Sequence, residues 1–315
     1  MGPSATAPRR RVSVVLVTLV GAVSLAILGA GCAPATRPHR LVASTPPALP
    51  PVVTRSAIVA TPAAEAVDTA IRVPDLAVPM VQSSAPASAG SGQVPPVILT
   101  STGIPLPVTR REGARYVVTT PCENQAVVEG AIPVVGIDVV IDPGHGGAIE
   151  DGAIGQHGLK EKDLNLAVAN DLSADLVRAG MHPLVTRSGD YPMTIEARAQ
   201  IVRNLRPRAF VSIHHNAEPE VTATIPGTET YYQVESPDSR RLAGLIWEEV
   251  TRALTPFKVL WLARRDAGAK PRIGDHGDDY YGILRETHGT PAALAELAYI
   301  TDPVSYTHLR AHETG

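Results

Sequence analysis

Between residues 137 and 300 short apolar runs alternate with amphipathic stretches, and this alternation restricts the possible folds more than any other feature of the chain. Ile137 to Ile141 is a mostly apolar run closed by Asp142-Pro143-Gly144. Leu164, Val168, Leu172 and Leu176 then recur every four residues along one helical face that ends at Gly180. His182 to Thr186, Ala209 to Ile213 and Glu229 to Val234 read as further strands, Thr194 to Leu205 and residues 238–254 as helices, and Ala292 to Ile300 as a last buried strand. Strands and helices in this order predict an α/β fold, a single twisted, mostly parallel or mixed β-sheet with helices on both faces. In such a fold functional groups gather beyond the strand ends. The polar clusters here sit at those places: His145 in Asp142–Gly147 after the first strand, His214-His215-Asn216 after the third, and Glu161 at the start of the first helix.

The first 135 residues have a different character. They hold most of the 29 Pro, one His (His39) and one aromatic (Tyr116), whereas nine of the ten His lie beyond them. Arg9-Arg10-Arg11 followed by the uncharged apolar run Val12 to Gly31 has the layout of an export signal. Leu28-Gly29-Ala30-Gly31-Cys32 resembles a lipobox, with Leu one place early, and would make Cys32 a lipidated anchor. An uncleaved transmembrane helix is the other reading of residues 1–32. Either would tether an exported protein at the outer face of a bacterial membrane. Residues 33–94, rich in Ala, Pro, Val, Ser and Thr and free of aromatics, read as a disordered, semi-extended linker. Val97-Ile98-Leu99 and Tyr116-Val117-Val118 make 95–134 a small β-rich lead-in to a catalytic domain at 135–303. Cys122 reads as a small buried hydrophobe. Two Cys exclude a disulfide scaffold and a Cys-rich zinc site. The formal net charge of −3, with the acidic excess in the second half, argues against nucleic acid as a partner.

Imidazole and carboxylate are suitable Zn²⁺ ligands, and three protein ligands with an open position characterise a catalytic site. His145, Glu161 and His214 would supply that set. Glycines flanking His145 would let the backbone approach a metal. Glu161 has a second reading as a helix N-terminal carboxylate favoured by the macrodipole. His214 and His215 alternate across a strand end, so one of them faces elsewhere as a surface or packing histidine. Glu296 stands within Ala292–Ile300, where a carboxylate is costly unless paired. It is either salt-bridged, with Arg198 or Arg285 as partner, or a general base beside metal-activated water.

Taken together in order, Val140–Gly147, Gly152–Gly155 with Gly158, Glu161–Leu166, Thr186-Arg187 with Asp190, Arg198, Val211–Ala217, Gly227–Tyr232 and Leu294–Thr301 resemble the zinc-dependent N-acetylmuramoyl-L-alanine amidases of bacterial cell-wall turnover, the amidase 3 family. The proline-rich leader and Thr120-Pro121-Cys122 are most similar to actinobacterial members. The resemblance implies that His145, Glu161 and His214 bind Zn²⁺, that Glu296 is the catalytic carboxylate, and that the substrate is the amide between N-acetylmuramic acid and L-alanine in peptidoglycan. It implies a structural role for Arg198 and Asn204, and for Asn216 and Glu229 support of the His214 loop or a plain structural part. Some members carry a helix that plugs the zinc site until an activator protein arrives. Residues 255–283 show no sustained helical period, so no plug is expected here. A wall-binding module without catalysis, and a zinc peptidase or deacetylase acting on other amides, are the competing readings. Val304 to Thr314 reads as the translation of a transposase-type sequencing adapter, so 304–315 is expected to be foreign and the domain to continue past Pro303 with its own helix.

Overall fold

The computed structural model describes residues 94–217, 227–254 and 268–301. The expected export leader at 1–32, the expected linker from residue 33 to 93, residues 255–267 of the stretch read as lacking a plug helix and the adapter-like tail lie outside the described residues. Among the described residues no helix is long and apolar enough to cross a membrane.

The described residues form two sheets. The first is antiparallel and built from β1 (Val97–Leu99), β2 (Pro105–Glu112), β3 (Arg115–Thr119), β4 (Gln125–Val128) and β5 (Ile132–Val134), in the order β4-β3-β2-β1-β5. Its alternating side chains bury Ile98, Leu106, Tyr116 and Val118 on one face. Val97 and Val134 pack instead with Met193, Ala197 and Ile201 around helix α2 (Ile195–Leu205). Cys122 lies in the turn between β3 and β4 and is exposed, against the expectation of a buried thiol, because the turn places it beyond the reach of either core.

The second sheet comprises β6 (Val139–Pro143), β7 (Pro183–Val185), β8 (Ala209–Asn216), β9 (Glu229–Tyr232), β10 (Gly268–Lys270) and β11 (Ala292–Tyr299), in the order β10-β9-β11-β8-β6-β7. β6, β7, β8 and β11 run parallel, while β9 is antiparallel to β11, so the sheet is mixed as expected. Every residue of β6 and β11 is buried, as befits strands covered on both faces. β11 reads Ala-Ala-Leu-Ala-Glu-Leu-Ala-Tyr, a composition that favours helix locally; its place between β8 and β9 overrides that preference. Helices α1 (Glu161–Arg178) and α3 (Pro237–Leu254) cover one face through Leu172, Leu176, Leu242 and Ile246. α2 and the short α4 (Gly282–Arg285) cover the other through Val202, Ile283 and Leu284.

The helix ends explain the boundaries. α1 stops where Gly180 adopts φ 81°, with Gly180 N–H donating to Val177 O and Met181 N–H to Leu176 O, the paired bonds of a left-handed C-terminal cap. Thr194 caps α2 by accepting from Ala197 N–H, and Ser236 does the same for Ser239 N–H before Pro237 opens α3. Two strands run further than the sequence suggests. β6 continues through Asp142 and Pro143, which pair with Ser212 and Ile213, and β8 continues to Asn216 because His214 pairs with Glu296 and Asn216 with Tyr299 of β11. His214 is therefore inside a strand rather than after it. β10 and α4 are too short for periodicity to announce them.

Candidate metal centre

β6, β8 and β11 are parallel, so their C-terminal ends lie together, and the sequence-selected residues converge there. One potential ligand atom each from His145, Glu161 and His214 lies within 4.8 Å of the others. Glu161 Oε2 is 3.2 Å from His145 Nε2, and Oε1 is 3.0 Å from His214 Nδ1. The two imidazole rings meet edge to face with centroids 5.0 Å apart.

Each group is fixed by the local backbone. His145 itself has φ 61°, which turns its side chain back over the sheet edge. A Cβ on Gly144 would stand 2.2 Å from His214 Cε1, and one on Gly152 2.6 Å from Glu161 Oε2, so side chains at these positions would fill the space the triad occupies. Glu161 is the first residue of α1, yet its carboxylate accepts from Ala153 N–H (2.8 Å) and His215 N–H (3.1 Å), amides outside its own helix. It serves the cluster rather than the helix cap. Burial alone would raise its pKa, but the bonds to His145 and His214 hold it far below the usual carboxylate range. For His145 burial works against the charged form, and the contacts with Glu161 and Glu150 outweigh it, so its pKa is raised. His215, the histidine expected to face away, is buried with Nδ1 2.8 Å from Asn165 Oδ1. Asn165 also donates to Gly144 O and Glu161 Oε1, tying both histidine strands to α1.

The loop at the end of β6 is held by residues whose part the spacing did not reveal. Asp142 is buried and accepts from Thr186 Oγ1 (2.6 Å), Arg198 Nη1 (2.6 Å) and Ser212 Oγ (2.9 Å). Burial opposes its ionisation; the Arg198 charge and these bonds keep its pKa below normal. Arg198 also donates to Pro143 O and to His145 O (2.7 Å). Arg187, fully buried, donates to the carbonyls of Pro143, Gly144, Lys162 and Gly189. Lys162 bonds Gly147 O and pairs with Asp151 and Asp190. A carboxylate at the end of an apolar strand is a signal of this network in the sequence, of the same kind as Glu296; the arginines stand out only through the family resemblance, which implied a structural role for Arg198. Asn204, expected to be structural, donates to Pro96 O and ties α2 to the first sheet.

Glu296 stands opposite His214 on β8 and opposite Glu229 on β9. Neither cation suggested by the sequence reaches it. Arg198 is engaged by Asp142, and Arg285 donates to Asp279 O and lies near Asp278 and Glu286. Glu296 is 8% exposed, and its Oε2 has no hydrogen-bond partner among the described residues. Burial, reinforced by the charges of Glu161 and Glu229 and opposed by His214 and His145, pushes its pKa up to about 7. Glu229 in turn accepts from Asn216 Nδ2 (3.2 Å) and Tyr231 Oη (2.7 Å) and pairs with Lys270 Nζ (2.8 Å).

A family model described as N-acetylmuramoyl-L-alanine amidase matches residues 139–314. The chain is 36% identical over 187 residues to the uncharacterized protein YqiI of Bacillus subtilis, covering 59% of this chain and 81% of that one. It is 32% identical over 180 residues to the N-acetylmuramoyl-L-alanine amidase LytC of the same organism, covering 56% of this chain but only 32% of LytC. Among solved structures, the amidase AmiC2 of Nostoc punctiforme is 29% identical, with 56% of this chain and 88% of that one covered at a TM-score of 0.45.

Proposed function

The chain belongs to the N-acetylmuramoyl-L-alanine amidase family, and from that membership we propose that it is a zinc-dependent hydrolase of the amide between N-acetylmuramic acid and L-alanine in peptidoglycan. The single observation that carries the reading is a buried carboxylate with an unpartnered oxygen, Glu296, set directly across from one member of a His-Glu-His cluster. Two imidazoles and a carboxylate, held without a fourth protein ligand in the cluster, suit a catalytic Zn²⁺.

His145, Glu161 and His214 would hold the Zn²⁺, which would supply Lewis-acid polarisation of the scissile carbonyl and acidification of the attacking water. His145 keeps its other nitrogen toward Glu150 Oε2 (3.4 Å), and the bonds of Glu161 to two backbone amides fix the carboxylate's direction. Glu296, with a pKa near neutrality, takes the proton of the water as its oxygen bonds to the carbonyl carbon. It returns that proton to the alanine nitrogen as the C–N bond breaks, leaving a lactyl carboxylate on the sugar and a free amine on the peptide. The export leader and linker would carry the domain to a substrate outside the membrane, with lipidation at Cys32 or a helical anchor as tether.

Incubating purified wall with the zinc-loaded chain should release stem peptides carrying a new alanine amine. Chelation should stop the release, and Glu296→Gln should lower it by about 10²- to 10⁴-fold, the range of a general acid-base group. Wall binding without release would favour the non-catalytic module, and cleavage of ordinary peptide amides at equal rate would favour the peptidase.

A further inference from the structure

Hydrogen-bonded to Tyr281, whose phenol senses the charge of Glu296, the structure holds a cation with a prepared geometry and, among the described residues, no acid to meet it. Arg272 is exposed at the base of a small hairpin closed by the Ile273–Asp279 bridge, with Tyr280 N–H donating to Arg272 O. Its guanidinium carbon lies 3.6 Å over the Tyr280 ring and 5.5 Å from that of Tyr281, and one Nη donates to Tyr281 Oη at 3.2 Å. Stacking and this bond fix the plane of a side chain that ordinarily samples many rotamers, leaving its other N–H groups for a ligand.

The neighbouring acids are engaged elsewhere. Asp279 bonds Val234 N–H and His288, Asp278 lies 3.7 Å from Arg285, and Glu229 takes Lys270. Among the described residues no carboxylate lies within ion-pair distance of Arg272. The cluster is continuous with the reaction site: Tyr281 packs on Tyr231 at 4.8 Å, Tyr231 donates to Glu229, and Glu229 faces Glu296 across the strands. A substrate that reached from Glu296 along this run of side chains would meet the guanidinium, two residues past β10 in the chain.

We propose that Arg272, held flat by Tyr280 and Tyr281, is a carboxylate-binding subsite that grips a free carboxylate of the stem peptide and so favours unamidated over amidated wall. The proposal rests on the amidase reading for the identity of its ligand. Planar donors in a fork match a carboxylate bidentately, and an amide in its place loses both the charge and one acceptor.

The test uses the zinc-loaded full chain carrying Glu296→Gln, so that ligands stay uncut, and calorimetric titration with a muramoyl-peptide in three forms: free carboxylates, side-branch carboxylate amidated, and C-terminal carboxylate amidated. One of the two amidations should weaken binding about three- to tenfold, the range of a solvent-accessible ion pair with good geometry, and adding Arg272→Gln should erase that difference. Equal binding of all three forms, or an Arg272→Gln loss shared equally by all three, overturns the subsite. Failure of the parent chain to release peptides from wall would sink the amidase reading, whereas the ligand preference is read by binding alone.

Discussion

The ends of β6 and β11 lie one strand apart, on either side of β8, and they treat buried polar groups in opposite ways. At the end of β6 every carboxylate oxygen of Asp142 is bonded, and two arginines close on the carbonyls of residues 143–145. On β11, Glu296 is also buried but keeps one oxygen without a partner among the described residues. In the proposed reading a metal ligand must keep its direction, which matches the tied-down loop that carries His145, and a base must move a proton, which matches an unbonded Glu296 oxygen with a pKa raised toward neutrality. Rigidity and reactivity are thus divided between two strands of one sheet.

Breaking the satisfied end should cost most. Arg198→Ala leaves Asp142 buried and uncompensated and frees His145 O, so the folded state should lose about 3–5 kcal/mol in denaturant unfolding, the cost of removing one member of a buried pair. A loss under about 1 kcal/mol would mean that Thr186 and Ser212 alone suffice for Asp142.

The unsatisfied end should respond with the opposite sign, because Glu296 is a destabilising feature once charged. Its carboxyl has an ordinary value of 4.5 and is raised to about 7 in the fold. The folded chain therefore retains a proton that the unfolded chain releases, and the resulting stability is full below about pH 4.5 and is lost as pH rises through 7. In the metal-free protein at pH 8, Glu296→Gln should raise stability by about 1–3 kcal/mol and flatten the fall between pH 5 and 8 relative to the parent. The His145 contribution runs in the same direction, since its raised pKa favours the fold at low pH, but it is common to both chains and cancels. An unchanged pH slope would show that Glu296 is hydrated in solution.

The smallest effect tests the link to the helix that carries Arg198. Thr194→Ala removes the hydroxyl that accepts from Ala197 N–H and should cost about 1 kcal/mol, with zinc affinity unchanged. A matching loss of zinc binding would show that the clamp depends on the helix start rather than on the arginine alone.

Much of the fold was legible because period and punctuation were clear. Gly180 marked the end of α1, Thr194 the start of α2, and the apolar runs of β6, β8 and β11 their strands. β10 and α4 escaped because three or four residues carry no period, and the extension of β6 through Pro143 depended on pairing with β8. At the site, His145 and His214 were visible as residues at strand ends and Glu296 as a residue type out of place, whereas Glu161, at a helix start where carboxylates are common, became a ligand candidate chiefly through the resemblance. The burial of Cys122 was misjudged because a cysteine's usual preference says nothing about a turn that projects from the sheet. Whether Glu296 was salt-bridged stayed open until its neighbours were known.

From sequence alone came the α/β class and the four candidate residues, which rest on pattern along the chain, and the family resemblance, which rests on the matching motifs and implied the roles of those four. Tertiary structure decided which charges meet. Arg198 chose Asp142 over Glu296, Lys270 chose Glu229, and Arg272 was left stacked on tyrosines without an acid. Such pairings depend on distances of a few ångströms between segments far apart in sequence, and Coulomb and hydrogen-bond energies change sharply over that scale.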